Sequence, residues 1–289
     1  MSFLASTGSL LIDGIAYGMV LFLISAGLTV TLGIMRVVNL AHCGFAMIGG
    51  YAALALVQRW GVSFLAALVA GTAFSAAAGA VLERTLYRWI YATGELGQML
   101  MTIGLAFVMV ASVNLVFGSS THALPLPEWL SGAWYAGPIS VSVYRAFLIG
   151  VSVTVAALLW LVLELTVVGA KLRAAVDNAS MARCVGINVP QVFACAFVGG
   201  CALAALGGII GGQLLPLEPW YALRFLVPVL MVVAVGGLGS LKGSFFAALM
   251  LGVVDTFGRY YAPALGAFVI YLAVVLSLLL RPDGLFARS

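Results

Sequence analysis

The sequence predicts an all-α, polytopic membrane helix bundle of about nine spans, and three observations carry that expectation. Hydrophobic residues make up 64% of the chain and charged ones only 8%, with a mean hydropathy of +1.20. Soluble domains average roughly 45–50% apolar and about 25% charged. The apolar residues fall in runs close to the ~20 residues that cross a hydrocarbon core of about 30 Å. Glycine, present 34 times, stripes or interrupts these runs, including the spaced pairs Gly14 and Gly18, Gly207 and Gly211, and Gly208 and Gly212. Helices in lipid associate largely by close packing, which small residues permit, so these pairs indicate a bundle rather than a mechanism. No linker, charge run or low-complexity tract divides the chain, and residues 1–289 are expected to form one transmembrane domain.

In chain order the candidate spans are Leu10 to Leu32, Ala41 to Val57, Val62 to Leu82, Leu96 to Phe117, Val141 to Val168, Val192 to Leu215, Phe225 to Val235, Phe245 to Phe257 and Leu265 to Leu280. The second, seventh and eighth are short or broken by glycine, so the count ranges from eight to ten. The first follows no Lys or Arg and lacks the layout of a cleavable signal peptide, which marks it as a retained span.

Nine alternating spans sort the cations unevenly. Arg36, Arg84, Arg88, Lys171, Arg173, Arg183, Lys242, Arg281 and Arg288 fall on one side; Arg59, Arg145, Arg224 and Arg259 fall on the other. The nine cations define the cytoplasmic side, leaving the N-terminus outside and the C-terminus inside. The loop from Gly118 to Ile139, rich in aromatic residues and proline, then lies outside. A net charge of +4 and a pI near 9.0 arise from these scattered cations, a membrane-topology pattern rather than a nucleic-acid patch.

Catalytic signatures are sparse. The four cysteines, Cys43, Cys184, Cys195 and Cys201, form no CxxC pair, and no histidine stands at a zinc spacing, so they are expected to be packing residues. His42 with Ser25 or Cys43 is the one arrangement resembling a base and nucleophile, and a hydrogen-bonded structural histidine is the simpler reading. Asp13, Glu164 and Asp255 lie near span ends, where charge costs less than the about 2.5–3.5 kcal/mol of a mid-span site. That placement disfavours electrochemical coupling; an ion-coupled carrier or a passive channel is the rival class. The chain holds no GxxxxGK[ST] loop and no GxSxG or HExxH signature. Any ATP-Mg is therefore expected in partner subunits, with no cofactor or metal bound by this chain.

One segment stands apart. Gly169 to Val189 is polar and helix-length, and Leu172, Ala175, Val176, Ala179 and Ala182 line one face of it at 100° per residue, with Lys171, Arg173, Asp177, Asn178 and Arg183 elsewhere. Gly186 and Asn188 supply stop signals. Composition leaves two readings open, an interfacial helix or one that docks into a partner. Two glycine-rich stretches, Arg36 to Tyr51 and Val235 to Phe245, resemble the interrupted segments that line transport pathways, with two tight turns as the alternative. Polar residues in or beside spans, namely Asn39, His42, Thr102, Asn114 and Gln213, are the candidate pathway residues, and helix-to-helix hydrogen bonding is their alternative role.

Five stretches carry a resemblance to a known family: Asp13 to Ala52, Leu82 to Arg88, Gly169 to Asn188, Gly236 to Gly252 and Arg281 to Phe286. With its NLAH and RAAVDNASMARCVGIN segments, the chain resembles the permeases of branched-chain amino acid ABC importers, the LivH type, related to urea and short-amide permeases. Cys43 and Trp89 depart from the family's usual glycine and proline. The resemblance implies an importer permease for branched-chain or other hydrophobic amino acids, with urea, short amides or aromatic acids as alternatives. It makes the Gly169–Val189 segment a coupling helix, acting through Lys171, Leu172, Arg173, Val176, Asp177, Asn178, Ala179, Ala182, Arg183 and Gly186. It further implies a second, homologous permease, two ATP-binding subunits and a periplasmic solute-binding protein around a chain in the bacterial inner membrane, with lipid but no nucleic acid as its other contact.

Overall fold

The computed structural model describes residues 2–35, 39–90, 93–136 and 139–286. Its helices are α1 (Ser2–Met35), α2 (His42–Trp60), α3 (Phe64–Leu82), α4 (Arg88–Ile90), α5 (Glu95–Phe117), α6 (Val143–Leu165), α7 (Val167–Asp177), α8 (Ala179–Cys184), α9 (Val189–Gly211), α10 (Tyr221–Gly236), α11 (Leu241–Tyr261) and α12 (Gly266–Leu280). A π-helical turn, Glu83–Tyr87, joins α3 to α4. Each expected span falls on a helix. Among the described residues six helices are both long and apolar enough to cross a membrane: α1, α3 with its extension, α5, α6, α9 and α11. α10 and the end of α12 are shorter apolar helices, and α2, at 19 residues, is not among the six, so length and composition together do not confirm nine spans. Arg36 and Arg288 lie outside the described residues.

α1 is the axis of the bundle, with residues 18–30 all buried. α9 and α11 flank it, both antiparallel, and glycine sets how near they come. A Cβ on Gly18 would lie 2.6 Å from the Ala248 carbonyl oxygen of α11, and Gly27 meets the backbone of Gly200 in α9. On α9 the two overlapping glycine pairs serve different neighbours: Gly207 and Gly211 face Ile24 and Val20 of α1, whereas Gly208 faces Ala46 of α2. These close approaches replace the hydrophobic drive that lipid removes. Thr29 and Ser244 hydroxyls add a buried hydrogen bond of 2.7 Å between α1 and α11, and Phe22 and Phe245 meet edge to face at 5.1 Å.

α2 starts part-way along α1. The His42 Nε2 lies 3.0 Å from the Ile24 carbonyl oxygen, deep within the apolar stretch of α1, so α2 begins at that depth. α6 runs parallel to α1, with an Arg145–Asp13 ion pair joining their starts. The loop between α5 and α6 contains a small departure from the all-helical expectation, an antiparallel hairpin of β1 (Ala133–Ala136) and β2 (Ile139–Ser142). His122 in the same loop exchanges two backbone hydrogen bonds of 2.8 Å with Leu217.

The turn from α10 to α11 places Gly237 and Gly239 at φ of 94° and 79°, a region that glycine enters without strain. The Ser240 hydroxyl caps α11 by accepting from Gly243 N at 3.0 Å. Leu285 N donates to Val235 O at 2.8 Å, seating the tail on this turn.

Candidate functional site

The polar segment lies beyond the end of α6, and it is two helices rather than the single one expected. Asn178 breaks it. Its backbone is extended at φ −154°, ψ 93°, and its Oδ1 accepts from Met181 N at 2.9 Å. Asn side chains compete for backbone N–H groups in this way and so favour the cap over the helix interior. Upstream, the Thr166 hydroxyl oxygen accepts from Gly169 N at 3.4 Å and starts α7. Gly169 itself lies against the Leu163 carbonyl, where a side chain has no room. Downstream, Gly186 adopts φ 84°, as expected of a helix stop. Asn188 instead begins α9, its Oδ1 accepting from Gln191 N at 3.2 Å.

The apolar face exists, and the chain itself covers much of it. Ala175, Ala182 and Val189 are buried together, with Ala179, Ile187, Val192 and Phe193 packed against them. Leu172 is also buried, and Val176 is half-buried. Arg173 turns back onto α6, donating to the Leu163 carbonyl oxygen and standing 3.7 Å from Glu164. Such a cation at a helix C-terminus satisfies an orphan carbonyl. The surface left open carries Lys171, Asp177, Asn178, Arg183 and Gly186 together with Met181 and Val185, 62% and 71% exposed. Sequence reasoning missed Met181 and Val185 because a helix of one continuous phase does not place them on the apolar stripe.

Beside the helix pair lies a cavity of about 450 Å³ reaching to Gly239, Lys242 and Phe286. Lys242 Nζ sits 5.6 Å from the centre of the Trp160 ring of α6, a cation–π contact. The helix pair thus adjoins the end of α6, the start of α9, the α10–α11 turn and, at Gly33, the end of α1.

The candidate pathway residues divide into two groups. Asn39, His42 and Thr102 gather where α2 begins. Asn39 Oδ1 accepts from the Tyr87 hydroxyl at 2.8 Å and from Ala41 N at 3.1 Å. Thr102 Oγ1 accepts from Leu40 N at 3.2 Å. Tyr87, which sequence reasoning missed, belongs to the π-helical turn. Here the three polar residues hold backbone and helices together. Asn114 and Gln213 are exposed and do not join them. Ser25 donates to the Phe22 carbonyl oxygen at 3.1 Å, so His42 meets backbone rather than a nucleophile. Among the described residues no group of His, Cys, Asp or Glu is placed to hold a metal ion.

The profile of a family described as "Branched-chain amino acid transport system / permease component" matches residues 10–279. The chain belongs to this family. Curated relatives agree along nearly their whole length. The permease is 28% identical over 293 residues to the high-affinity branched-chain amino acid transport system permease protein LivH of Salmonella typhimurium, covering 96% of this chain and 94% of that one. It is 27% identical to LivH of Escherichia coli, with the same coverage, and 28% identical to BraD of Pseudomonas aeruginosa, at 96% and 95%. Among solved structures, a chain described as "PsaBC from Streptococcus pneumoniae in complex with Fab" superposes with a TM-score of 0.50 at 14% identity, covering 94% of this permease and 89% of that chain. At that identity the likeness concerns the fold alone.

Proposed function

We propose that the permease is the membrane subunit of an ATP-driven importer for branched-chain or other hydrophobic amino acids, and that α7 and α8 form its docking site for an ATP-binding subunit. The names of its relatives support the substrate class. The docking reading rests on one observation: Met181 and Val185 are apolar and exposed at the tip of α8, among Lys171, Asp177 and Arg183. In this reading the helix pair faces the cytoplasm of a bacterial inner membrane, the N-terminus is periplasmic and the C-terminus cytoplasmic. A second permease and a periplasmic solute-binding protein complete the assembly, and ATP-Mg resides in the partner subunits.

The covered apolar face suits a lever. Since Ala175, Ala182 and Val189 bind the helix pair to the start of α9, and Arg173 binds it to the end of α6, a push on Met181 and Val185 reaches both helices. α9 is packed along α1, so the displacement enters the axis of the bundle. ATP binding would favour one arrangement only through contacts that differ between the two states. Exposed charge pairs contribute at most about 1 kcal/mol each, whereas burial of an apolar side chain contributes about 1.5–3 kcal/mol; Met181 and Val185 therefore dominate.

The test is the double substitution Met181→Glu with Val185→Glu, away from the covered face. ATP-dependent uptake by the reconstituted transporter is expected to fall at least ten-fold, and the ATP-binding subunit to be lost on purification. Uptake and assembly that both persist would overturn the docking assignment.

A further inference from the structure

At the end of the bundle opposite the helix pair, a cleft of about 520 Å³ opens between α1, α6, α10, α11 and α12. Its volume lies within the range of about 300–1,000 Å³ typical of small-molecule sites. Its lining combines charges of both signs: the carboxylates of Asp13 and Asp255 and the guanidiniums of Arg145, Arg224 and Arg259. These are three of the four cations that the sequence sorts to this side, so charge that topology keeps scarce here is concentrated in one hollow. The fourth, Arg59, stands 5.2 Å from the Phe117 ring centre and outside the lining.

Asp255 is the telling residue. It is 3% exposed, its Oδ2 accepts from Arg259 Nε at 2.8 Å, and its Oδ1 has no hydrogen-bond partner among the described residues. A buried carboxylate oxygen left without a donor is costly, and ionisable groups in spanning helices are seldom idle. Guanidiniums outnumber carboxylates in the lining by three to two, and Arg224, bonded to Glu218 through Nη1 at 2.8 Å, keeps further N–H donors. The cleft therefore has an acceptor awaiting a cation and donors awaiting an anion. Leu214, Phe225 and Pro228 supply an apolar wall beside them.

We infer that this cleft binds the head group of a free α-amino acid, its ammonium on Asp255 Oδ1, its carboxylate on Arg224 and its apolar side chain against Leu214 and Pro228. A zwitterion alone satisfies both halves without adding net charge to a hollow in the membrane domain. The inference rests on the amino-acid reading of the transporter, which places this end toward the periplasm, where solute arrives.

The experiment uses the full chain in lipid nanodiscs and three probes: leucine, 3-methylbutylamine, which keeps only the amine, and 4-methylpentanoate, which keeps only the acid. Titration calorimetry or saturation-transfer NMR should show leucine binding at least ten-fold more tightly than either analogue. Asp255→Asn should remove its advantage over the acid, and Arg224→Gln its advantage over the amine. The Arg224 side chain is 60% exposed, so this variant stands even if Asp255→Asn fails to fold. Arg59→Gln is the control and should bind as the native chain does. Absence of leucine binding, equal binding of the three probes, or leucine affinity unchanged in both variants overturns the site. Loss of solute-binding-protein docking in the variants with leucine affinity intact reassigns the cleft to that protein and also overturns it. Uptake by the assembled transporter, measured in parallel, separates the two readings. Amino-acid uptake without leucine binding to this chain defeats the site alone; leucine bound here without ATP-driven uptake defeats the transport reading alone.

Discussion

α1 and the α7–α8 pair are built on opposite terms. α1 is buried through its middle and held by backbone-to-backbone approach, with Gly18, Gly27 and Gly33 each against another chain segment. The α7–α8 pair is held by side-chain caps, one arginine and a small apolar cluster, and shows half of itself to the outside. The first arrangement has no slack, since glycine contacts cannot stretch and remain contacts. The second rests on side-chain contacts that lie within the pair or reach only the end of α6 and the start of α9. The two regions should therefore differ in how they respond to substitution, and the difference can be measured.

The largest effect is expected on α1. In Gly18→Leu a Cβ would meet the Ala248 carbonyl oxygen at 2.6 Å, and overpacking of this kind costs about 1–3 kcal/mol or more. Monodisperse protein after detergent extraction should fall sharply, with lower thermal stability in what survives. Unchanged yield and stability would show that α1 is looser than its contacts imply. Ala182→Glu should act more locally. Ala182 is 3% exposed within the small cluster, so an unpaired carboxylate there frees the helix pair from α9. Hydrogen exchange should quicken across α7 and α8 while that of α1 and α11 is unaltered. Faster exchange in all four would erase the distinction between the regions. The smallest effect is expected from Asn178→Ala, which deletes a cap worth about 1 kcal/mol. Exchange in α8 should rise by about five-fold with no change in unfolding temperature.

Much of this contrast is legible in the sequence. The apolar runs mark the helices, the spaced glycines mark the close helix contacts, and the polar stretch marks the α7–α8 pair. The break at Asn178 is hidden because a periodic apolar stripe reads across it. Its signal is present all the same, an asparagine ahead of Ala179 and Ser180 where a cap is as favourable as another helical turn. The start of α2 beside Ile24 is less accessible, since hydropathy measures how apolar a run is and not the depth at which it begins. In the sequence Asp13, Glu164 and Asp255 are each tolerable charges near span ends. Only the fold shows that two of them share a cleft, because α1 and α11 meet through residues far apart in sequence. Tyr87 is hidden for a related reason: the π-helical turn that presents it to Asn39 has no compositional mark.

The position of α1 also bears on the order in which the protein is made. α1 precedes both helices that enclose it, and α9 and α11 follow only after α2 to α8 have been synthesised. During that interval its glycine faces have lipid for company. Hydrocarbon tails solvate an apolar helix about as well as a protein neighbour does, so the wait carries little penalty. Chains emerge N-terminus first, and the axis of this bundle is laid down early and enclosed late.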